Sequence, residues 1–230
     1  MVDTTIIANA PVRFLVSGMG DALSTYFEAR ATHNSYSNVN AGLPCGFREG
    51  LCGPAKATKA SMALAELCYQ TLLEDGLKAK YACEAKQVTP ALENIIETNI
   101  LLSGLGFESG GLAAAHAIHD GLTILPGTHK YFHGEKVAFG TLTQLVLENA
   151  PSEELNEVLE FCLSIGLPVC LEDIGVDSLS DEELKEVAEK ACIPAESIHS
   201  MPFPVTAPDV AAAIKTADRI GREFKKGRSL

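Results

Sequence analysis

Apolar residues at helical spacing run through nearly the whole chain, and strand signals are almost absent; such a pattern folds as an array of packed helices. Between Pro11 and about His33, Phe14, Leu15, Met19, Leu23, Tyr26 and Phe27 form one stripe, and Ser17, Asp21, Ser24, Thr25 and Glu28 a polar one. Residues 34–56 are rich in Gly, Asn and Pro and read as loop. Helical spacing resumes from about Thr58 to Leu73, then in a short helix ending near Lys86. Thr89-Pro90 is a helix start, an N-cap hydroxyl followed by Pro at the first helical position, and the Gly104/Gly106 pair reads as that helix's end. After Gly110-Gly111, the run LAAAHAIHDGLTIL is small and apolar enough for a helix buried on nearly all sides. Further helices are predicted from about Gly134 to Asn149, from Ser152 to Gly166, from the capping-box pair Ser180 and Glu183 to near Cys192, and from Thr206-Ala-Pro208 to about Lys225. Only Thr4–Ala8 and Pro168–Leu171 read as strand.

Composition narrows the function classes. The charge of −12 argues against a nucleic-acid partner, which needs clustered Lys and Arg; the one basic cluster, Arg222 to Arg228, reads as a solvated terminus. No stretch has the length and apolarity of a membrane span, and the first residues carry Asp3 and no basic secretory n-region. The seven cysteines are odd in number and none forms a C-x-x-C pair; Cys68, Cys83, Cys162 and Cys192 fall in helical segments, as small apolar residues of a reducing, cytoplasmic compartment do.

Four of the six histidines lie within HAIHDGLTILPGTHKYFH. A single histidine reads most simply as a surface group or a hydrogen-bonded core group, but this cluster asks for more. His116 and His119, three apart, share a helix face among Ala113, Ala114, Ala115, Ala117 and Ile118, where imidazoles need partners. A metal is one such partner. Catalytic zinc uses three nitrogen or oxygen ligands and leaves a position open, and His116 and His133 offer two nitrogens from a helix and the loop after it. Spacing does not identify the third ligand. Asp21 interrupts the small, apolar run LVSGMGDALSTYF and is a candidate; equally, it is one member of a solvated stripe.

The run GFESGGLAAAHAIHDGLTILPGTHKYFHGEKVAFGTLTQLVLEN resembles the metal-binding core of bacterial glycerol dehydrogenases, in the iron-type alcohol dehydrogenase superfamily, and VDTTIIANAPVRFLVSGMGDALSTYFEAR, MALAELCYQTLLEDG and VTPALEN resemble the same family in the same order. The resemblance covers nearly the whole chain. It implies the mainly α, C-terminal domain of the dehydroquinate synthase-like, iron-type alcohol dehydrogenase fold. It implies Asp21, His116 and His133 as ligands of a divalent ion, usually zinc, that also binds the substrate oxygen, with His119 as a catalytic group orienting substrate or relaying a proton. The implied reaction is oxidation of glycerol to dihydroxyacetone by NAD, in a cytoplasmic homo-oligomer. Thr25, where many iron-type enzymes carry a further histidine, and Asp21, where dehydroquinate synthases carry Glu, favour the three-ligand polyol branch.

Two departures set further expectations. No G-x-G-x-x-G follows a strand, and SGMGDA lies inside a helical pattern, so most of the NAD site is expected outside this chain. Residues 1–10 are then the remnant of a link and 11–230 the helical metal- and substrate-binding domain of a fragment, a split subunit or a truncated gene product. The 42–58 loop, with Cys45 and Cys52, is longer than the family pattern and has no assigned role. The competing functions are a non-catalytic helical module that assembles with intact subunits, a glycerol-1-phosphate dehydrogenase whose phosphate pocket would draw on Lys130 and Lys136, and a purely structural zinc site.

Overall fold

Helices dominate the computed structural model, which describes residues 1–39 and 55–230; Cys45, Cys52 and most of the 42–58 loop lie outside the described residues. In chain order the helices are α1 (Thr4–Asn9), α2 (Val12–Ser35), α3 (Lys59–Glu84), α4 (Pro90–Glu97), α5 (Ser103–Gly110), α6 (Ala114–Leu122), α7 (His133–Leu147), α8 (Ser152–Ile165), α9 (Asp181–Ala191) and α10 (Ala207–Phe224). Among the described residues the β-structure is a lone bridge between Asn38 and Lys56.

The local start signals hold. Thr89 accepts from the Leu92 N–H at 3.3 Å, and Ser180 and Glu183 close a capping box on α9. Gly166, with φ 87°, ends α8 in the left-handed region. Four expectations are corrected. Thr4–Ala8 is helix, not strand: the Asp3 side chain accepts from the Thr5 N–H at 2.9 Å, and Ala8 is buried in the core. Pro168–Leu171 is not strand either, because the N–H groups of Val169 and Cys170 donate to Asp173 and that of Leu171 to Asp218. The two helices expected between Thr58 and Lys86 are one, running through Gly76, which packs beneath the Phe161 ring. The helix from Pro90 does not stop at Gly104 or Gly106. It passes through a π-turn at Thr98–Leu102 into α5 and ends at Gly111, where φ is +94°.

Packing explains the rest. One apolar cluster joins α2, α3, α4 and α8 through Phe27, Leu72, Ile95 and Leu159; a second joins α6, α9 and α10 through Ile118, Val187 and Ile214. Helix α7 lies between them, giving Leu142 and Leu145 to the first and Phe139 to the second. Removing Phe139 to alanine would cost about 3–5 kcal/mol. Helix α2 is buried over most of its surface: apart from Asp21, its expected polar stripe is inside (Ser24 1%, Thr25 1%, Glu28 0% exposed), whereas Phe14 is 55% exposed. No described helix is long and apolar enough to cross a membrane.

Candidate metal centre

The site is built on the way α6 begins. A helix leaves its first N–H groups without partners, and α6 has no side-chain cap at Ala113. Two buried side chains from other helices take that role. Glu28 of α2 accepts from the N–H groups of Ala113 (2.8 Å) and His116 (3.0 Å) at Oε1, and Gln144 of α7 accepts from Ala114 (3.1 Å) and Ala115 (3.0 Å). The entry to α6 is thus fixed in three dimensions, and with it the His116 ring.

Helices α2 and α7 meet backbone to backbone. A Cβ on Gly20 would lie 2.4 Å from the Gly134 carbonyl oxygen, and one on Gly134 only 1.8 Å from that of Ser17. The glycine string SGMGDA is therefore a helix-crossing surface, Gly18 lying against Asn99 and Gly20 against Gly134. The crossing brings Asp21 and His133, the first residue of α7, beside His116. Asp21 Oδ1 is 3.1 Å from His133 Nε2 and 3.3 Å from His116 Nε2, and the two nitrogens are 3.3 Å apart. Two imidazole nitrogens and a carboxylate oxygen that face one another this closely need a proton or a cation among them. Their separations suit three corners of a tetrahedral site with bonds of about 2.0–2.1 Å. The side chains of Asp21 and His133 are 42% and 49% exposed, so the fourth side is open.

The electrostatics are strongly coupled. Burial pushes the Asp21 pKa up, but the imidazoles of His116 and His133 outweigh it and hold the carboxyl well below its usual range. Burial likewise opposes charge on Glu28, and His116 reverses the effect, leaving that carboxyl lowered. Burial pushes His116 down, yet Glu28 and Asp21 on either side lift it to about 10 in the metal-free chain. His119, lowered chiefly by burial, places Nε2 3.1 Å from His133 Nδ1 and Nδ1 2.9 Å from Asp120 Oδ1.

Asp21, His116 and His133 converge, and His119 stands behind His133, buried and turned toward that ring and Asp120. His129 and His199 are surface groups hydrogen-bonded to the carbonyls of Thr123 and Ile193, as isolated histidines commonly are. Thr25 turns away from the centre to bond Ser103 at 2.9 Å. Lys130 lines a surface cleft with Arg13, Tyr131, Glu135, Asp173 and Lys225, none of which belongs to the triad; Lys136 is buried one turn after His133. Sequence reasoning missed Glu28 and Gln144. Glu28 had a usable signal, since it follows Asp21 by seven residues and so shares its helix face.

Known proteins agree in sequence and in shape. No family model matches the chain. A glycerol dehydrogenase from Thermotoga maritima is 56% identical over 226 residues, 98% of this chain and 58% of that protein. The crystal structure of glycerol dehydrogenase from Schizosaccharomyces pombe superposes with a TM-score of 0.90 at 42% identity, over 98% of this chain and 55% of the other. An iron-containing alcohol dehydrogenase from Thermotoga maritima shares the fold alone, with a TM-score of 0.61 at 20% identity over 93% of this chain and 51% of the other. The chain thus spans 58% of the length of the curated relative it matches. In sequence and in fold the chain is thus similar to the helical C-terminal part of glycerol dehydrogenases, and it shares its fold with an iron-containing alcohol dehydrogenase.

Proposed function

We propose that this chain forms the metal- and polyol-binding part of an NAD-dependent glycerol dehydrogenase, with Asp21, His116 and His133 holding one divalent ion, zinc by its donor chemistry. The observation that carries the reading is the set of three donor atoms 3.1–3.3 Å apart with one side open. A structural ion is normally closed by four protein ligands; an open fourth side suits a substrate hydroxyl. A cation held by Asp21, His116 and His133 would supply Lewis acidity that makes the hydroxyl of glycerol easier to deprotonate, and NAD would serve as the hydride acceptor in forming dihydroxyacetone.

The protein's own groups prepare that chemistry. Asp21 brings a carboxylate that stays charged across the physiological range, because its pKa is held low. His119 acts as a positioning residue: it accepts the Nδ1–H of His133 and donates to Asp120, which leaves the Nε2 lone pair of His133 facing the centre. The half-exposed faces of Asp21 and His133 are the polyol's approach. Five free cysteines among the described residues suit the cytoplasmic setting that we assign, and exposed Ile100, Leu101, Leu105 and Phe107 offer apolar surface for a homo-oligomer.

The test is metal analysis of the purified chain beside Asp21→Ala, His116→Ala and His133→Ala. We expect bound zinc in the parent and its loss in each variant; equal metal in all four proteins ends the ligand assignment. Joined to the remaining part of a longer relative, the chain should support glycerol-dependent reduction of NAD. Indifference of that enzyme to every small diol and triol would refute the substrate reading.

A further inference from the structure

We infer that Glu28 is the positioning residue that decides which nitrogen of His116 faces the ion, an inference that rests on the metal-site reading above. Glu28 is fully buried, and both its oxygens are committed. Oε1 accepts from two backbone N–H groups, those of Ala113 at 2.8 Å and His116 at 3.0 Å; Oε2 lies 2.6 Å from His116 Nδ1. Backbone N–H groups only donate, so they lock the carboxylate's orientation. Oε2 is thereby held as a charged acceptor opposite Nδ1, keeping a proton there, so that the nitrogen free to give up its proton to an ion is Nε2, 3.3 Å from both Asp21 Oδ1 and His133 Nε2. The same carboxylate caps α6 and orients the imidazole, so helix entry and ring tautomer are set by one group.

The isosteric change Glu28→Gln separates these two roles. The amide oxygen must stay on the two backbone donors, since an NH2 placed there would face two N–H groups. The NH2 then lies against His116 Nδ1, which can only accept from it, and the ring proton moves to Nε2, aimed at the ion. The helix cap survives while the tautomer inverts. We expect nitrogen NMR of the full chain to show a proton on His116 Nδ1 in the parent and a bare Nδ1 in Glu28→Gln. Zinc affinity, measured against a competing chelator, should fall about 10–100-fold with far-UV circular dichroism unchanged. A proton on Nδ1 in both proteins, or equal zinc affinity, overturns the inference. Should the variant not fold, the zinc-loaded parent decides: a bare Nδ1 there also overturns it. A parent that binds no zinc sinks the metal-site reading instead, and the NMR comparison still judges Glu28.

Discussion

Replacing Gly134 by alanine should loosen the crossing of α2 and α7 and release the metal. The added Cβ would sit 1.8 Å from the Ser17 carbonyl oxygen, 2.8 Å from its carbon and 2.9 Å from the Asp21 nitrogen. The closest of these falls short of ordinary contact by about 1.5 Å. All three obstacles are backbone, so no rotamer change relieves the clash and the helices must part. Overpacking of this kind costs about 1–3 kcal/mol. At about 2–4 °C per kcal/mol for a chain of this size, the melting temperature should drop by about 2–12 °C. His133 precedes Gly134 and Asp21 lies across the crossing, so the same displacement widens their 3.1 Å separation. A misplacement of about 1 Å typically costs on the order of a hundredfold in rate, and bound zinc per chain should fall with it. Gly104→Ala is the control, because a Cβ there meets nothing within 4 Å. That change should be neutral or stabilising by about 0.5–1 kcal/mol. Thermal melts and metal analysis of both variants decide the matter. If Gly134→Ala melts and binds zinc like Gly104→Ala, the crossing does not hold the site.

Three further outcomes can be measured. Gln144→Leu leaves the N–H groups of Ala114 and Ala115 buried without an acceptor, and should cost about 1–3 kcal/mol by urea unfolding; a change within error would show that α6 does not need this cap. Metal-free chain should lose thermal stability as pH rises. The raised His116 pKa means that its ion pairs contribute fully below the ordinary 6.5 and fade as pH climbs to about 10. Zinc, which displaces the Nε2 proton, should bind more tightly through the same window and release a proton near pH 7; calorimetry in buffers of different ionisation enthalpy reads that proton, and its absence refutes the assignment. Arg30 pairs with Glu148 at 2.9 Å and Glu154 at 2.5 Å and lies over the Tyr26 and Phe27 rings, so Arg30→Met should cost about 3 kcal/mol; an unshifted urea midpoint would show these pairs to be idle.

Features that depend on neighbours in the chain were legible beforehand. Thr89-Pro90, Ser180 with Glu183, and Gly166 act through hydrogen bonds or dihedrals a few residues long, and each marks its helix end correctly. Features set by distant packing were not. Gly104 and Gly106 read as stops, yet Gly106 lies against Thr25 and Ala65, and the chain needs a positive φ only at Gly111. The β-branched run at Thr4–Ala8 reads as strand until Asp3 caps it and Ala8 finds the core. The stripe from Ser17 to Glu28 reads as solvated because charge ordinarily faces water; here the backbone of α6 and the His116 ring replace water around Glu28. The histidine cluster announced a centre, whereas Asp21 emerged by spacing only as a candidate, since the Gly20–Gly134 contact that brings it across leaves no periodic trace.

The origin of α6 also dictates an order of assembly. Its opening amides are answered by side chains 85 and 30 positions away, one earlier in the chain and one later. During synthesis this helix therefore stays frayed until Gln144 has emerged, and His116 has no settled direction before then. On the proposed ligand assignment, a cation meeting the nascent chain would find loose imidazoles rather than a cage, and its capture would follow the docking of the helices on both sides.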